Sequence, residues 1–126
     1  MKYKIIVPAD VLPYPEAHEI SAAGILAGYF NEDVVFIKRT ANKTADIRVS
    51  DADWEIKSPT GKGKYNIQHQ FQKAAKQSPN VVFDARRSKI HINKISREVD
   101  RQFKLSRSLK RLILIKKDGK IVAFNK

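Results

Sequence analysis

The 126-residue chain contains no cysteine, which excludes a disulfide scaffold, a thiolate metal site and a cysteine nucleophile. Its apolar runs are only a few residues long, so no transmembrane helix is expected. The apolar stretch in MKYKIIVPAD is too short for a signal peptide. Glycine and proline number five each, and nowhere do they gather into a linker or a low-complexity segment. No segment repeats. What remains is 42% hydrophobic and 30% charged, a globular composition of a length that suits one domain, residues 1–126. A cytoplasmic site of action is expected, with no membrane partner.

Acidic residues are also scarce. Thirteen Asp and Glu stand against twenty-five Lys and Arg, a net charge of +12. Residues 1–84 hold eleven basic and ten acidic side chains, whereas residues 85–126 hold fourteen and three. The basic carboxyl-terminal third predicts a face that attracts a polyanion, because each phosphate neutralised releases condensed counterions. The alternative is a charged face that only solvates the protein.

The hydrophobic pattern alternates between sheet and helix. Lys2 to Val7 reads as a strand, Glu16 to Phe30 as a helix ended by Asn31, and Val34 to Ile37 as a buried strand. A hairpin follows, Ala45 to Val49 and Trp54 to Lys57, around the turn-rich Ser50 to Asp53. Asn66 is expected to cap a helix carrying Ile67, Phe71 and Ala74, stopped by Ser78-Pro79. Asn80 to Asp84 reads as a strand, and Arg86 to Ile92 is open between loop and strand. Asn93 is expected to cap a helix with Ile95, Val99 and Phe103 on one face. Asp118-Gly119 then turns a closing hairpin of Leu112 to Ile115 and Ile121 to Phe124. The sum is an α/β fold: a mixed β-sheet flanked by helices, with a C-terminal β-hairpin.

The first hairpin carries the chemistry. With Val49 opposite Trp54, Arg48 faces Glu55, Ile47 faces Ile56 and Asp46 faces Lys57. Ile47, Val49, Trp54 and Ile56 then share an apolar face, and Asp46, Arg48, Glu55 and Lys57 the opposite one. Two carboxylates suit a hard divalent cation whose remaining ligands are water and phosphate. A neighbouring ammonium can orient the attacking water or stabilise developing negative charge. An ordinary polar outer face with cross-strand ion pairs would look the same from the hairpin alone.

The string TADIRVSDADWEIKSP spells D-x8-E-x-K, with Asp46, Glu55 and Lys57 at the signature positions. It resembles the core of the PD-(D/E)xK nuclease superfamily, which implies a restriction-endonuclease-like αβββαβ order. Glu19 matches the additional acid of many members, with Glu16 as competitor, and Gln70 matches their common glutamine. Ala45 stands where the eponymous proline would be. A closer resemblance covers residues 16–124. WEIKSPTGKG, then Ile67, Gln70, Ala74 and Gln77 as I-x-x-Q-x-x-x-A-x-x-Q, then NVVFDARR and RLILIKKDGK look like the C-terminal tRNase domains of CdiA-type contact-dependent growth-inhibition toxins. Related stand-alone proteins occur on bacterial mobile elements.

That resemblance implies a metal-dependent endoribonuclease acting on tRNA, an immunity protein as partner, and delivery into a target cell if the domain belongs to an exported toxin. Asp46 and Glu55, with Glu19, would hold the ion, Mg²⁺ ahead of Mn²⁺ or Zn²⁺. Lys57 would act on the attacking water and Gln70 would complete the catalytic set. Lys62, Lys64, Arg86, Arg87, Arg97, Arg101, Lys104, Arg107, Lys110 and Arg111 are the candidate contacts to nucleic acid. Three other readings stay open. They are a DNA endonuclease of a phage or mobile element, a non-catalytic nucleic-acid-binding protein, and a metal-independent ribonuclease using His18 or His69.

Overall fold

The computed structural model describes residues 3–40, 45–63 and 65–126. Seven strands form one mixed sheet in sequence order: β1 (Ile5–Ile6), β2 (Val34–Phe36), β3 (Ile47–Val49), β4 (Ala52–Lys57), β5 (Asn80–Asp84), β6 (Arg111–Ile115) and β7 (Ile121–Asn125). Helix α1 (Ala17–Phe30) precedes β2, α2 (Asn66–Ala75) links β4 to β5, and α3 (Ile92–Leu105) links β5 to β6. The expected αβββαβ order is therefore the run from α1 to β5, and the C-terminal hairpin is β6–β7. β1–β2, β4–β5 and β5–β6 pair in parallel, and the other neighbours are antiparallel.

Helices cover both faces of the sheet. On one face α1 packs through Ala22, Ala23, Leu26 and Ala27, whose mostly small side chains allow a close approach. Beneath them lie Ile47, Val49, Trp54, Ile56, Val82 and Ile113. On the other face α2 and α3 bring Ile67, Phe71, Ala74, Ile95, Val99 and Phe103 onto Val81, Phe83, Leu112 and Leu114. Burying each large apolar side chain contributes about 1.5–3 kcal/mol, so these two layers fix the sheet and hence the strand ends.

The helix crossovers between parallel strands set the polarity. The carboxyl ends of β2, β4, β5 and β6, the start of β3 and the amino termini of all three helices lie at one end of the sheet. Helix amino termini carry partial positive charge, so this end favours anions before any side chain is considered.

Three local expectations are corrected. The β3–β4 hairpin pairs Ile47 with Trp54, Arg48 with Asp53 and Val49 with Ala52, not Val49 with Trp54. Ser50 adopts a left-handed conformation, φ 57°, which closes a tighter turn and draws Ala52 and Asp53 into the strand. The register moves by two residues, and because side chains alternate with period two each keeps its face. Helix α2 is capped at Tyr65 instead of Asn66. Helix α3 is capped by His91, whose Nδ1 accepts from the Asn93 N–H at 3.1 Å, so Asn93 is already inside the helix.

Candidate active site

Asp46, Glu55 and Lys57 come together at the helix-start end of the sheet. Glu55 and Lys57 are two apart in β4 and project to the face covered by α2 and α3, in register with Val81 and Phe83. Glu55 is 2% exposed. Its Oε2 lies 3.1 Å from the Lys57 Nζ, and its Oε1 is buried without a hydrogen-bond partner. Arg48, expected opposite Glu55, instead pairs with Asp53 at 2.7 Å, which leaves Glu55 to Lys57 and Asp46. Burial first, and then the neighbouring Asp46 carboxylate, push the Glu55 pKa up to about 8 against the pull of Lys57.

Asp46 stands immediately before β3. Its N–H donates to the Trp54 carbonyl at 3.0 Å, and its carbonyl accepts from the Ile37 N–H at 2.9 Å. Its Oδ2 accepts from the Ile56 N–H at 2.8 Å, which anchors the carboxylate against β4. Both backbone and side chain are thus held.

Of the two competing acids, Glu19 is the one that meets Arg39. Its Oε1 accepts from the Glu16 N–H at 2.9 Å, closing the first turn of α1, while Oε2 accepts from Arg39 Nη2 at 3.1 Å. The same guanidinium lies 3.8 Å from Asp46 Oδ1. Glu16 is directed to His18, 3.3 Å from its Nδ1. Among the described residues no three Asp, Glu or His side chains converge closely enough to surround a metal ion. Asp46 and Glu55 form the pair, and Glu19 joins them through Arg39. Gln70 is half-buried on the α2 stripe of Ile67, Phe71 and Ala74, on the Glu55 side of the sheet, and forms no hydrogen bond with these carboxylates among the described residues.

The basic candidates divide by place. Lys62 and Arg87 are exposed in the loops that follow β4 and β5, and Arg97 is exposed in the first half of α3, all toward the site end. Arg86 is consumed inside the fold. It holds the fully buried Asp84 through Nε and Nη2 at 2.9 and 2.8 Å and reaches the Ser21 hydroxyl and the His18 carbonyl on α1. Arg101 and Lys104 pair with Glu98 and Asp100. Arg107 and Lys110 follow α3 toward the opposite end of the sheet. At that end Arg111 lies over the Trp54 ring at 5.2 Å and donates to Asn80 Oδ1. Lys64 lies outside the described residues.

Sequence reasoning missed three features. Arg39 and the buried Asp84 enter through long-range packing that no local pattern shows. The β6–β7 turn, closed by Gly119 at φ 85°, also brings Lys116, Lys117 and Lys120 to the site end. Its run RLILIKKDGK was visible, yet its position followed only from the parallel pairing of β5 and β6.

A family model of the contact-dependent growth inhibition CdiA C-terminal domain matches residues 43–121, a stretch that contains Asp46, Glu55, Lys57 and Gln70. The chain belongs to the CdiA C-terminal domain family. The fold of this CdiA C-terminal domain is similar to a chain of the CdiA-CT/CdiI toxin and immunity complex from Burkholderia pseudomallei. The match has a TM-score of 0.64 at 16% identity and covers 98% of this chain and 99% of that one. Comparison with curated proteins yields no match. The membership and the likeness account for the domain type and the fold. What the site does rests on its own residues.

Proposed function

We propose that this domain is a metal-dependent endonuclease of the PD-(D/E)xK kind that cleaves RNA, with tRNA as the favoured substrate. The observation that carries this reading is Glu55, a buried carboxyl with one oxygen on Lys57 and the other unpaired, beside the anchored Asp46. An unpaired buried carboxylate oxygen is costly in a fold that has no use for it. The carboxylate oxygens of Asp46 and Glu55, with Glu19 nearby, form an all-oxygen donor set that suits Mg²⁺. When bound, the ion acidifies water and offsets phosphate charge.

Lys57 Nζ, held on Glu55, is positioned to orient the attacking water and to stabilise negative charge as it builds on the phosphate. The water oxygen bonds to phosphorus while the bond to the leaving sugar oxygen breaks. Gln70 serves as a polar support on the same face. Lys62, Arg87, Arg97 and the Lys116–Lys120 turn surround this end of the sheet with positive charge that tracks the backbone. As a CdiA C-terminal domain, the chain acts in this reading as a toxin delivered into target cells and neutralised by a dedicated immunity protein.

The test is incubation with total tRNA and with duplex DNA, each in Mg²⁺ and in EDTA, for wild type, Asp46→Asn, Glu55→Gln and Lys57→Ala. Metal-dependent tRNA fragments from wild type, lost in all three variants, are expected. DNA cut in place of RNA changes the substrate and keeps the site, since the 2′-hydroxyl distinguishes the two. Cleavage that persists in EDTA, or unchanged activity in all three variants, overturns the assignment. Salt-sensitive binding without cleavage would make the domain a binding protein.

A further inference from the structure

Arg39 lies three residues beyond β2, and its guanidinium touches two of the site's carboxylates, Glu19 at 3.1 Å and Asp46 at 3.8 Å. These carboxylates are 15% and 14% exposed, while the arginine side chain is 43% exposed. It therefore enters from the solvent side and lies against groups that are largely withdrawn from water. An arginine is charged at every relevant pH, so it supplies the positive charge that these carboxylates need in the absence of another cation. Glu55 Oε1, buried without a hydrogen-bond partner, lies deeper, on a residue that is 2% exposed.

We propose that Arg39 is the resident counter-ion of the metal-free site, yielding the Glu19 and Asp46 oxygens to a divalent cation and turning its guanidinium to the substrate phosphate. This inference rests on the nuclease reading above. Three arguments support it. An ion pair reached from solvent is weak and exchangeable, whereas a dication on several carboxylate oxygens is not. The guanidinium contacts both Glu19 and Asp46, at 3.1 and 3.8 Å, where a dication would need their oxygens. A single nitrogen, Nη2, meets both carboxylates, and the planar guanidinium has the geometry to grip a phosphodiester once released. Arg39 is then a substrate contact in the loaded site and a competitor of the metal in the empty one.

The test is calorimetric titration of Mn²⁺ into metal-free wild type, Arg39→Ala, Arg39→Gln and Arg39→Lys, with cleavage measured at saturating Mn²⁺. Both neutral variants are expected to bind Mn²⁺ roughly three- to tenfold more tightly, because the competing charge is gone. They are also expected to cleave at least about tenfold more slowly, because the phosphate contact is gone. Arg39→Lys should restore the wild-type Mn²⁺ affinity. Equal or weaker Mn²⁺ binding by the neutral variants, or full cleavage by them, overturns the role of Arg39. Glu55→Gln run alongside separates the two ideas. Loss of Mn²⁺ binding in that variant with no effect of Arg39 leaves the nuclease site standing and removes the exchange, whereas no Mn²⁺ binding by any protein removes both.

Discussion

Replacing Glu55 with glutamine should make the metal-free protein more stable, and only at high pH. The Glu55 carboxyl is 2% exposed, with one oxygen on Lys57 and one unpaired. Its pKa stands at about 8 in the fold against an ordinary value of 4.5. The folded state therefore holds a proton that the unfolded chain has released. The stabilising contribution of the protonated form is complete below about pH 4.5 and is lost as pH rises through about 8. At about 1.36 kcal/mol per pH unit, ionised Glu55 costs the fold on the order of 5 kcal/mol. Glutamine keeps the shape and an oxygen for Lys57, and it offers Asp46 an N–H without acquiring charge.

The assay is urea unfolding of both proteins in EDTA, near pH 5 and near pH 9. The two should agree to within about 1 kcal/mol at the lower pH, and the variant should be more stable by several kcal/mol at the higher. Added Mg²⁺ should close the gap at high pH by stabilising the wild type alone, because a cation compensates the ionised pair. An identical difference at both pH values would refute the claim that burial and Asp46 hold Glu55 protonated.

Asp46→Ala should cost about 1–3 kcal/mol in urea unfolding because it orphans the Ile56 N–H, while Asp46→Asn keeps an acceptor and most of the stability. Neither should cleave, and a cleaving Asp46→Ala would move the site elsewhere. Arg86→Ala should cost about 3–5 kcal/mol by leaving buried Asp84 unpaired, and Arg86→Lys should not rescue it because the contact is bidentate; a urea midpoint near wild type for either variant counts against the clamp. Ser50→Gly should stabilise the hairpin turn by about 0.5–1 kcal/mol, read as a higher melting temperature, since Ser50 holds φ 57°.

The hairpin shows why the site was more legible than the register that forms it. Asp46, Glu55 and Lys57 could be placed near one another because strand side chains alternate, and an error of two residues leaves every face unchanged. The register itself depended on whether Ser50 would take a left-handed conformation, which a serine does not announce. The caps failed for a similar reason. Asn66 and Asn93 are good capping residues, yet α3 begins two positions earlier because the His91 imidazole accepts the same kind of bond. Arg39 and Asp84 lay beyond sequence reasoning altogether. Arg39 meets Glu19 across twenty positions, and Arg86 meets Ser21 across sixty-five. Only the stacking of α1 on the sheet creates those neighbours.

The same distinction governs the positive charge. Counted along the chain, the last third promises a uniform basic face, but the fold divides it by function. Arg86 is spent on Asp84 and Arg111 on Trp54 and Asn80 at the far end of the sheet, while Arg101 and Lys104 make only weak surface pairs with acids of their own helix. Lys94 and Arg97 are exposed in the half of α3 that begins at the site end, with the Lys116–Lys120 turn at that end as well. Salt dependence of tRNA binding separates these groups, because each phosphate contact contributes about 0.7–0.9 to the slope of log K against log salt. Lys94→Gln and Arg97→Gln should each lower the slope by roughly that amount, and Arg111→Gln should leave it unchanged. Equal losses for all three would mean that charge acts here as a diffuse total, and that the polarity of the sheet does not choose the face that meets the nucleic acid.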